Sequence, residues 1–532
     1  TGVEGPVNVV MSVRRISICI PYVGILENTL PEKKHTERGI QIMTFKNSMA
    51  YNKIQKEKRY RKPDLPNHVN QNPDVASELE ERERITDNTL CAMKTILPKV
   101  LKDLAKIKDY RTKNIKHSLT LLLAYGILMF ALHYSSRRET NREMTDPVLR
   151  ENLKALFPEL ETLPHGDTLY RLLNHIEAGK IEETQINLLK KMIKKKKFMN
   201  YLIDKKYRIA IDGTQKLARK GECDDEYLIR HVGAEKEVQS YIYVLEAVLV
   251  LGNGMVIPFM SEFLTNKDIE NETGSAEQKK QDCERKAFRR LAGRIKEAFP
   301  RLRIVLIMDS LYAAGPVFSI CRDNNWDYMI NFKSGSIPTV YREAEALMRL
   351  TPENMVETIW GDRKQTYTYI NELDYEYQNT DTGKKSRMKL NVVKCHEEWE
   401  EENKDDKTEE KETTYVWLSS KKLTQTNVFR RCTLIARYRW QIENNILVEK
   451  HQGYGYEHSY ARSANVLKGY HYLSKIAHMI MTLVMMSSNA NEKVKELGKR
   501  GFIRYIKKCM ESCILMLKET RSDKEHYLQL MV

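Results

Sequence analysis

Two aspartates follow apolar runs that have the character of buried strands. Asp212 comes after Arg208–Ile211, and Asp309 comes after Ile304–Met308. Each has an ordinary explanation, because Asp-Gly is a common turn and Asp309 could cap the helical segment that follows it. If the two strands are neighbours in a sheet, however, the carboxylates lie close together and repel each other. A divalent cation removes that repulsion, so the pair predicts a metal site.

A third carboxylate, Glu443, lies in a segment with helical periodicity. At about 100° per residue, Glu443 lies about 40° and Lys450 about 20° from Arg439, so the three side chains share one stripe. Glu449 falls about 80° from Arg439 on the other side, and Glu457 follows a glycine-containing break, so both are weaker candidates. An Arg-Glu pair four residues apart is also common on an ordinary solvated helix.

Three carboxylates beside two cations are the residue types that metal-assisted phosphoryl transfer requires. Two Mg²⁺ ions roughly 3.5 to 4 Å apart need oxygen ligands from about three carboxylates. We therefore predict that Asp212, Asp309 and Glu443 are the catalytic, metal-binding residues. Arg439 and Lys450 are predicted to hold the phosphates of a nucleic acid beside the metals.

The composition agrees with a polyanionic partner. The chain of 532 residues has 88 Lys and Arg against 72 Asp and Glu, which gives a net charge of +16. A protein with this balance is expected to bind nucleic acid or another anionic surface. The apolar fraction of 41% is typical of a globular protein and excludes disordered and collagen-like classes.

Cysteine spacing and hydropathy predict an intracellular location. The nine cysteines include no CxxC pair, which favours reduced thiols and a cytoplasmic protein. The longest apolar run, Leu119–Leu132, is shorter than the roughly 20 residues that cross a bilayer, so we expect a buried helix and no membrane segment.

The helices and strands that the sequence predicts around these residues indicate an α/β protein made of several units. Helical spacing dominates between residues 77 and 200, whereas strand-like runs begin at Tyr207. The acidic run Glu397–Glu412 is interpreted as a surface loop. The predicted units are an N-terminal arm (1–76), a helical DNA-binding domain (77–200), the first part of an α/β core (201–336), a β-rich insertion (337–424), the second part of the core (425–486) and a helical tail for packing or dimerisation (487–532).

Further candidates for DNA contact lie outside the acidic residues. Lys194, Lys195 and Lys197 end an amphipathic helix, where they form either a solvated face or a phosphate-binding one. His458 follows the Lys450 helix and is either a phosphate contact or a hydrogen-bonded structural histidine.

These motifs resemble those of bacterial insertion-sequence DDE transposases of the IS-four group. That group is marked by Tyr, two residues, Arg, three residues, Glu, six residues and Lys, and the last three fall on Arg439, Glu443 and Lys450. The Tyr position is Ala436, which departs from the pattern. The resemblance also covers the stretches that start at Asp212, at Asp309 and at Gly455, and it extends over roughly residues 97–483.

The resemblance implies an RNase H-like catalytic core, dependence on two Mg²⁺ ions, for which Mn²⁺ can substitute, and cut-and-paste movement of a DNA element. It also implies binding of double-stranded DNA at terminal inverted repeats by a homodimer. Similar enzymes flip a base into a pocket that includes an aromatic residue, for which Tyr415 and Trp417 are candidates, with core packing as the alternative. Two other functions stay open, namely a domesticated DNA-binding protein without catalysis and a metal-dependent nuclease without strand transfer.

Overall fold

The computed structural model describes residues 74–515 with gaps at 113–114, 158–159, 266–282, 379–382 and 403–407, the two short strands at 32–35 and 41–44, and residue 530. The predicted N-terminal arm (1–76) therefore lies largely outside the described residues. The rest is a mixed α/β protein, as expected.

The elements follow one another as helices, then mainly strands, then helices. The helices are α1 (Val75–Leu104), α2 (Leu119–Ala131), α3 (Arg137–Glu143), α4 (Pro147–Lys154), α5 (Gly166–His175), α6 (Ala178–Lys194), α7 (Glu284–Ala298), α8 (Gly315–Asp323), α9 (Pro338–Leu350), α10 (Val428–Cys432), α11 (Trp440–His451), α12 (Ala464–Met485) and α13 (Asn491–Ser512). The strands are β1 (Glu32–His35), β2 (Gln41–Thr44), β3 (Tyr207–Lys220), β4 (Leu228–Val232), β5 (Glu237–Gly252), β6 (Met255–Phe263), β7 (Ile304–Met308), β8 (Asp327–Asn331), β9 (Met355–Trp360), β10 (Arg363–Gln378), β11 (Lys385–Glu402) and β12 (Thr408–Ser419).

The described strands form one mixed sheet. Its order is β1-β2-β9-β10-β11-β12-β8-β7-β3-β5-β4, and β6 pairs with β5. At its centre β3, β7 and β8 run parallel, whereas β5 pairs antiparallel with β3 and β6. Parallel neighbours need long crossover connections, which α7 and α8 provide here.

The central strands are apolar on both faces because each face carries a layer of helices. Along β7, Ile304, Leu306 and Met308 pack into the core on one side, together with buried residues of α7 and α8. Val305 and Ile307 pack into a second core on the other side, which also contains Ile442 of α11. This alternation decides which helices face each residue of the central strands.

The β-rich insertion is continuous with the central sheet, because β12 pairs with β8. The predicted surface loop at Glu397–Glu412 is wrong for the residues described there, since β11 and β12 form an antiparallel hairpin through that stretch. Glu397 is fully buried and accepts hydrogen bonds from Arg363 and Gln365. Partners on neighbouring strands therefore make an internal carboxylate possible in a segment whose acidity indicated a loop.

The helical region packs around α12, whose residues are almost all buried. It contacts α2, α5 and α6 on one side and β6 of the sheet on the other. The C-terminal helix α13 is kinked at Gly498, which has a φ of 71°, and packs against α1 and α4. The tail thus packs against the N-terminal helices.

No helix within the described ranges combines the length and the apolar character that crossing a bilayer demands. The predicted helix at Leu119–Leu132 is present as α2 and is almost entirely buried.

A buried ionic network holds α11 and α12 against the sheet. The Lys475 ammonium of α12 lies 2.9 Å from a carboxylate oxygen of Glu246 in β5 and 2.7 Å from one of Glu449 in α11. Glu449 also contacts His478, and Tyr456 and Ser261 donate hydrogen bonds to Glu246. Because three elements meet at one ammonium group, the position of α11 depends on it.

We expect Lys475→Met to destabilise the protein strongly, because two buried carboxylates would lose the ammonium group that they share. Removal of one partner of a buried pair costs about 3 to 5 kcal/mol. Lys468→Met is the matched control, since Lys468 lies on the same helix but pairs with Glu226 in a partly exposed position and should cost about 1 kcal/mol or less. Urea unfolding measures both variants, and equal destabilisation would contradict the central role of Lys475.

The same network predicts a specific acid sensitivity. Burial opposes ionisation of Glu449, but Lys475 and His478 outweigh it and hold the pKa of Glu449 well below its ordinary 4.5. A carboxyl whose pKa falls on folding stabilises the protein above its unfolded pKa, and this contribution disappears as the pH falls. Below about pH 4.5 the free energy of unfolding should therefore drop more steeply for the wild type than for Glu449→Gln. Parallel curves would contradict the prediction.

Candidate active site

Asp212 lies within β3 rather than at its end. The sequence predicted that the strand stops there, but β3 continues to Lys220 because its antiparallel pairing with β5 continues to Gln239. The side chain of Asp212 is 21% exposed. It lies on the same face as Ala210, which packs in the core that contains Ile442. The carboxylate therefore faces the side of the sheet that α11 covers.

Asp309 lies beside Asp212 across the parallel pair β3 and β7. The register pairs Ala210 with Ile307, and continuing it by two residues places Asp309 opposite Asp212 on the same face. Neighbouring strands are about 4.8 Å apart, so the backbones at the two carboxylates are in close proximity. Asp309 also accepts a hydrogen bond from the Leu311 N–H at 3.0 Å, so the capping role is present as well.

Helix α11 carries Glu443, and Arg439 lies at the N-terminus of this helix. The Arg439 guanidinium donates a hydrogen bond to Glu443 at 2.6 Å and lies 3.8 Å from a carboxylate oxygen of Asp212. Its side chain is only 7% exposed. The structure therefore brings together four of the predicted residues, Asp212, Asp309, Arg439 and Glu443, which we call the acid cluster.

The pKa of Asp212 reflects the charges that surround it in the acid cluster. The pKa of Asp212 is raised to about 6, mainly by burial, with a further contribution from the negative charges of Asp309 and Glu443. The positive charge of Arg439 opposes this rise, because it lies between Asp212 and Glu443. Within the described ranges no group of three or more His, Cys, Asp or Glu side chains already stands in a metal-holding arrangement.

The donor set fits Mg²⁺ or Mn²⁺. The three predicted ligands are all carboxylates, and hard divalent cations prefer oxygen donors. A divalent cation would also relieve the repulsion that helps to raise the pKa of Asp212. Asp212, Asp309 and Glu443 are therefore the residues that could hold it.

The opposite face of β3 at this position is closed by a hydrogen-bonded carboxylate. Glu284, in the first turn of α7, accepts hydrogen bonds from Tyr243 at 2.7 Å and from Tyr312 at 3.0 Å. These groups lie directly over Gly213, where an added Cβ would be 2.6 Å from both the Glu284 carboxyl carbon and the Tyr243 ring. Sequence reasoning missed this contact, because it depends on how α7 crosses the sheet.

Exposed apolar side chains flank Glu443 on α11. Trp440 is 47% exposed and Leu447 is 51% exposed, and they lie three and four residues from Glu443 on the same side of the helix. The Arg439 guanidinium lies 4.6 Å from the Trp440 ring. An exposed indole can stack on a nucleic-acid base. Sequence reasoning missed Trp440, although the seven-residue spacing of two apolar residues on the face of Glu443 was a usable signal.

The rival carboxylates have other partners. Glu449 is buried in the Lys475 network and is therefore closed to a ligand. Glu457 pairs with Lys450 at 2.9 Å. Lys450 is thus held by a carboxylate at the C-terminal end of α11, beyond the acid cluster.

The remaining predicted DNA contacts are exposed at the surface. Lys194, Lys195 and Lys197 are all exposed at the end of α6, so they are open to solvent or to phosphate. His458 is exposed as well, and its ring lies edge-on against Tyr460, with 4.5 Å between the ring centroids. Burial and Arg137 lower the pKa of His458.

The aromatic pair predicted for a base pocket is largely internal. Trp417 is buried, and its indole N–H donates a hydrogen bond to Asn331. Tyr415 stacks on Trp417 at 5.4 Å, with the Arg437 guanidinium 4.9 Å from the Tyr415 ring. The buried ring of Trp417 therefore favours the core-packing alternative over a stacking surface for DNA.

Ala436 stands where the pattern of the resembled family has a tyrosine. Ala436 is buried in the core beneath α11. Tyr438, the nearest tyrosine, lies over the guanidinium of Arg208 at 4.1 Å, four residues before Asp212 on β3. Neither residue presents a hydroxyl group to the acid cluster.

Comparison with known proteins gives no assignment. No model of a known protein family matches the chain, and no curated protein matches it. A functional proposal therefore depends on the geometry of the acid cluster and on the residue spacing that led to it.

We expect Gly213→Ala to disturb the strand that carries Asp212, because the new Cβ would overlap the Glu284 and Tyr243 side chains. Overpacking of this kind costs about 1 to 3 kcal/mol. Gly293→Ala in α7 is the control, and we expect it to raise the free energy of unfolding. Its Cβ meets nothing within 4 Å, and helix propensity favours alanine by up to about 1 kcal/mol. Urea unfolding distinguishes them, and a neutral Gly213→Ala would contradict the close packing.

Proposed function

We propose that this protein is a metal-dependent DNA transposase with an RNase H-like catalytic core. The observation that carries the proposal is the juxtaposition of Asp212 in β3 and Asp309 directly after the parallel strand β7, faced by Glu443 of α11 and by Arg439 at the N-terminus of that helix. The central strand order β6-β5-β3-β7-β8 supports the same core. The net charge of +16 agrees with a DNA partner.

In this proposal the protein cuts DNA and joins it to a new site by direct displacement at phosphorus. A bond from water, and later from a 3′ hydroxyl, forms to phosphorus while the bond to the leaving oxygen breaks on the opposite side. When bound, divalent cations would stabilise the charge on the attacking and leaving oxygens. Asp212, Asp309 and Glu443 would hold these cations, and the enzyme forms no covalent bond with the DNA.

The cationic and aromatic side chains of the protein have complementary roles. Arg439 neutralises Asp212 and Glu443 in the structure and is positioned to bind a DNA phosphate once a divalent cation takes over that charge. Its planar guanidinium suits phosphate oxygens. Trp440, which is exposed beside Glu443, offers a surface on which a base next to the cleaved bond can stack. A homodimer that holds two DNA ends completes the proposal.

Asp309→Asn tests the catalytic assignment. The amide oxygen can still accept the Leu311 N–H bond, so the variant removes the charge and keeps the cap. The substrate is DNA that includes the sequences on either side of the region that codes for this protein. We expect Mg²⁺-dependent nicking of this DNA to fall at least about 100-fold. Binding of that DNA without metal should change little.

Asp323→Asn is the matched control. Asp323 is an exposed aspartate at the end of α8 that pairs with Arg322, so nicking should be unaffected. Equal nicking by Asp309→Asn and the wild type would refute the assignment of Asp309. Wild-type cleavage without joining would favour a nuclease, and DNA binding without any cleavage would favour a non-catalytic DNA-binding protein.

A further inference from the structure

A groove rich in arginine lies where the N-terminal helices meet the far end of β3. Its volume is about 520 Å³. Arg137 of α3, Arg171 of α5, Arg219 of β3 and Arg462 of the segment before α12 line it, and Asp167 of α5 is the only carboxylate among the lining residues. We call this the arginine groove. Four guanidinium groups against one carboxylate leave a net positive charge, which suits an anionic ligand.

Two of the four arginines are held in place. Arg137 lies 3.4 Å from Asp167 and stacks over the Tyr170 ring, with 4.7 Å to the ring centroid. Arg219 donates a hydrogen bond to the Ala461 carbonyl at 3.1 Å. These contacts use only part of each guanidinium, which has five N–H donors. Free donors in fixed positions are the usual basis of phosphate recognition by arginine.

The other two arginines are open to solvent. Arg171 and Arg462 are both exposed, and within the described ranges neither side chain forms an ion pair with a carboxylate. The charge of this pair is therefore not neutralised by the protein itself. Because the two residues come from separate segments, the fold is what assembles the patch.

The arginine groove lies on the same face of the sheet as the acid cluster. The pairing with β5 places Asp212 opposite Glu246 and Arg219 opposite Ser240. Glu246 and Ser240 are six residues apart on β5, and because side chains alternate between the two faces of a strand, this even spacing places them on the same face. The register of β3 shifts at a bulge near Lys216, so Arg219 lies on that face as well. Six residues of strand span about 20 Å.

The chain also connects the two places directly. The segment from Lys450 to Arg462 runs from the end of α11 to the arginine groove. Between these two points the Lys216 ammonium donates a hydrogen bond to the Tyr456 carbonyl of this segment. Along one strand of a duplex, 20 Å corresponds to about six nucleotides at 3.4 Å each. A duplex could therefore touch both places without bending.

We propose that the arginine groove binds the phosphate backbone of a DNA duplex about six base pairs from the bond that the acid cluster cleaves. The choice of DNA as the ligand rests on the proposed function. The position and charge of the groove do not depend on the acid cluster. The groove binds phosphates, so it should bind DNA of any sequence.

The test is the double variant Arg171→Ala/Arg462→Ala. Its binding to a duplex of roughly 30 base pairs of arbitrary sequence is measured by fluorescence anisotropy, without metal, between about 50 and 200 mM salt. Removal of each phosphate-binding arginine should reduce the slope of log K against log salt by about 0.9, so we expect a reduction of about 1.8 and a weaker affinity at every salt concentration. An unchanged slope and affinity would overturn the proposal.

Two further variants control for structural effects. Arg171→Lys/Arg462→Lys keeps the charges and should restore most of the slope, whereas failure of this rescue would mean that the effect is not electrostatic and would overturn the proposal. Arg150→Ala/Arg322→Ala removes two partly exposed arginines outside the arginine groove. This control should retain the wild-type slope, and an equal reduction in it would overturn the specific role of the groove.

The outcome is separable from that of the proposed function. If the wild type never nicks DNA but its binding depends on Arg171 and Arg462, the arginine groove stands and the transposase proposal fails. If Asp309→Asn abolishes nicking while the groove variant binds like the wild type, the catalytic proposal stands and the groove proposal fails.

Discussion

The parallel pairing of β3 with β7 is the constraint on which the candidate site depends. It places two aspartates side by side at the centre of the sheet, where burial raises the free energy of the charged form of Asp212. Such a pair needs a compensating positive charge. Arg439 supplies it in the structure, and α11 must lie close against β3 for this contact to form.

The position of α11 depends in turn on charges that lie deeper in the protein. Lys475 joins Glu449 of that helix to Glu246 of β5, next to β3. The chain therefore separates two kinds of carboxylate on α11. Glu449 is buried and neutralised and has a structural role, whereas Glu443 remains one-third exposed and open to a ligand. The same helix serves both purposes because the two residues lie on different faces of it.

The continuity of the sheet relates the acid cluster to the rest of the molecule. The insertion extends the central sheet through β12 and β8, and its buried Glu397 pairs both with Arg363 of β10 and with Arg437 just before α11. On the other side, β3 runs from the acid cluster to the arginine groove beneath the N-terminal helices. One continuous sheet thus sets the spacing between a candidate catalytic centre and a candidate phosphate-binding surface.

Local pattern was enough to predict much of this arrangement. Apolar runs identified the strand before Asp309 and the buried helix α2, because periodicity acts over short distances. The stripe of Arg439 and Glu443 followed from helix geometry alone. Local pattern failed where pairing decides the outcome. Strand β3 continues past Asp212 because β5 is its partner, and Glu397 can be buried because Arg363 and Arg437 neutralise it.

The sequence by itself therefore determined the residue types of the acid cluster, the helical stripe that carries two of them and the basic charge of the protein. Only the tertiary structure decided that Asp212 and Asp309 are neighbours, that Trp417 is internal while Trp440 is exposed, and that four distant arginines line one groove. The physical reason is that these properties arise from contacts between segments far apart in the chain. Neither propensity nor periodicity within a segment carries information about them.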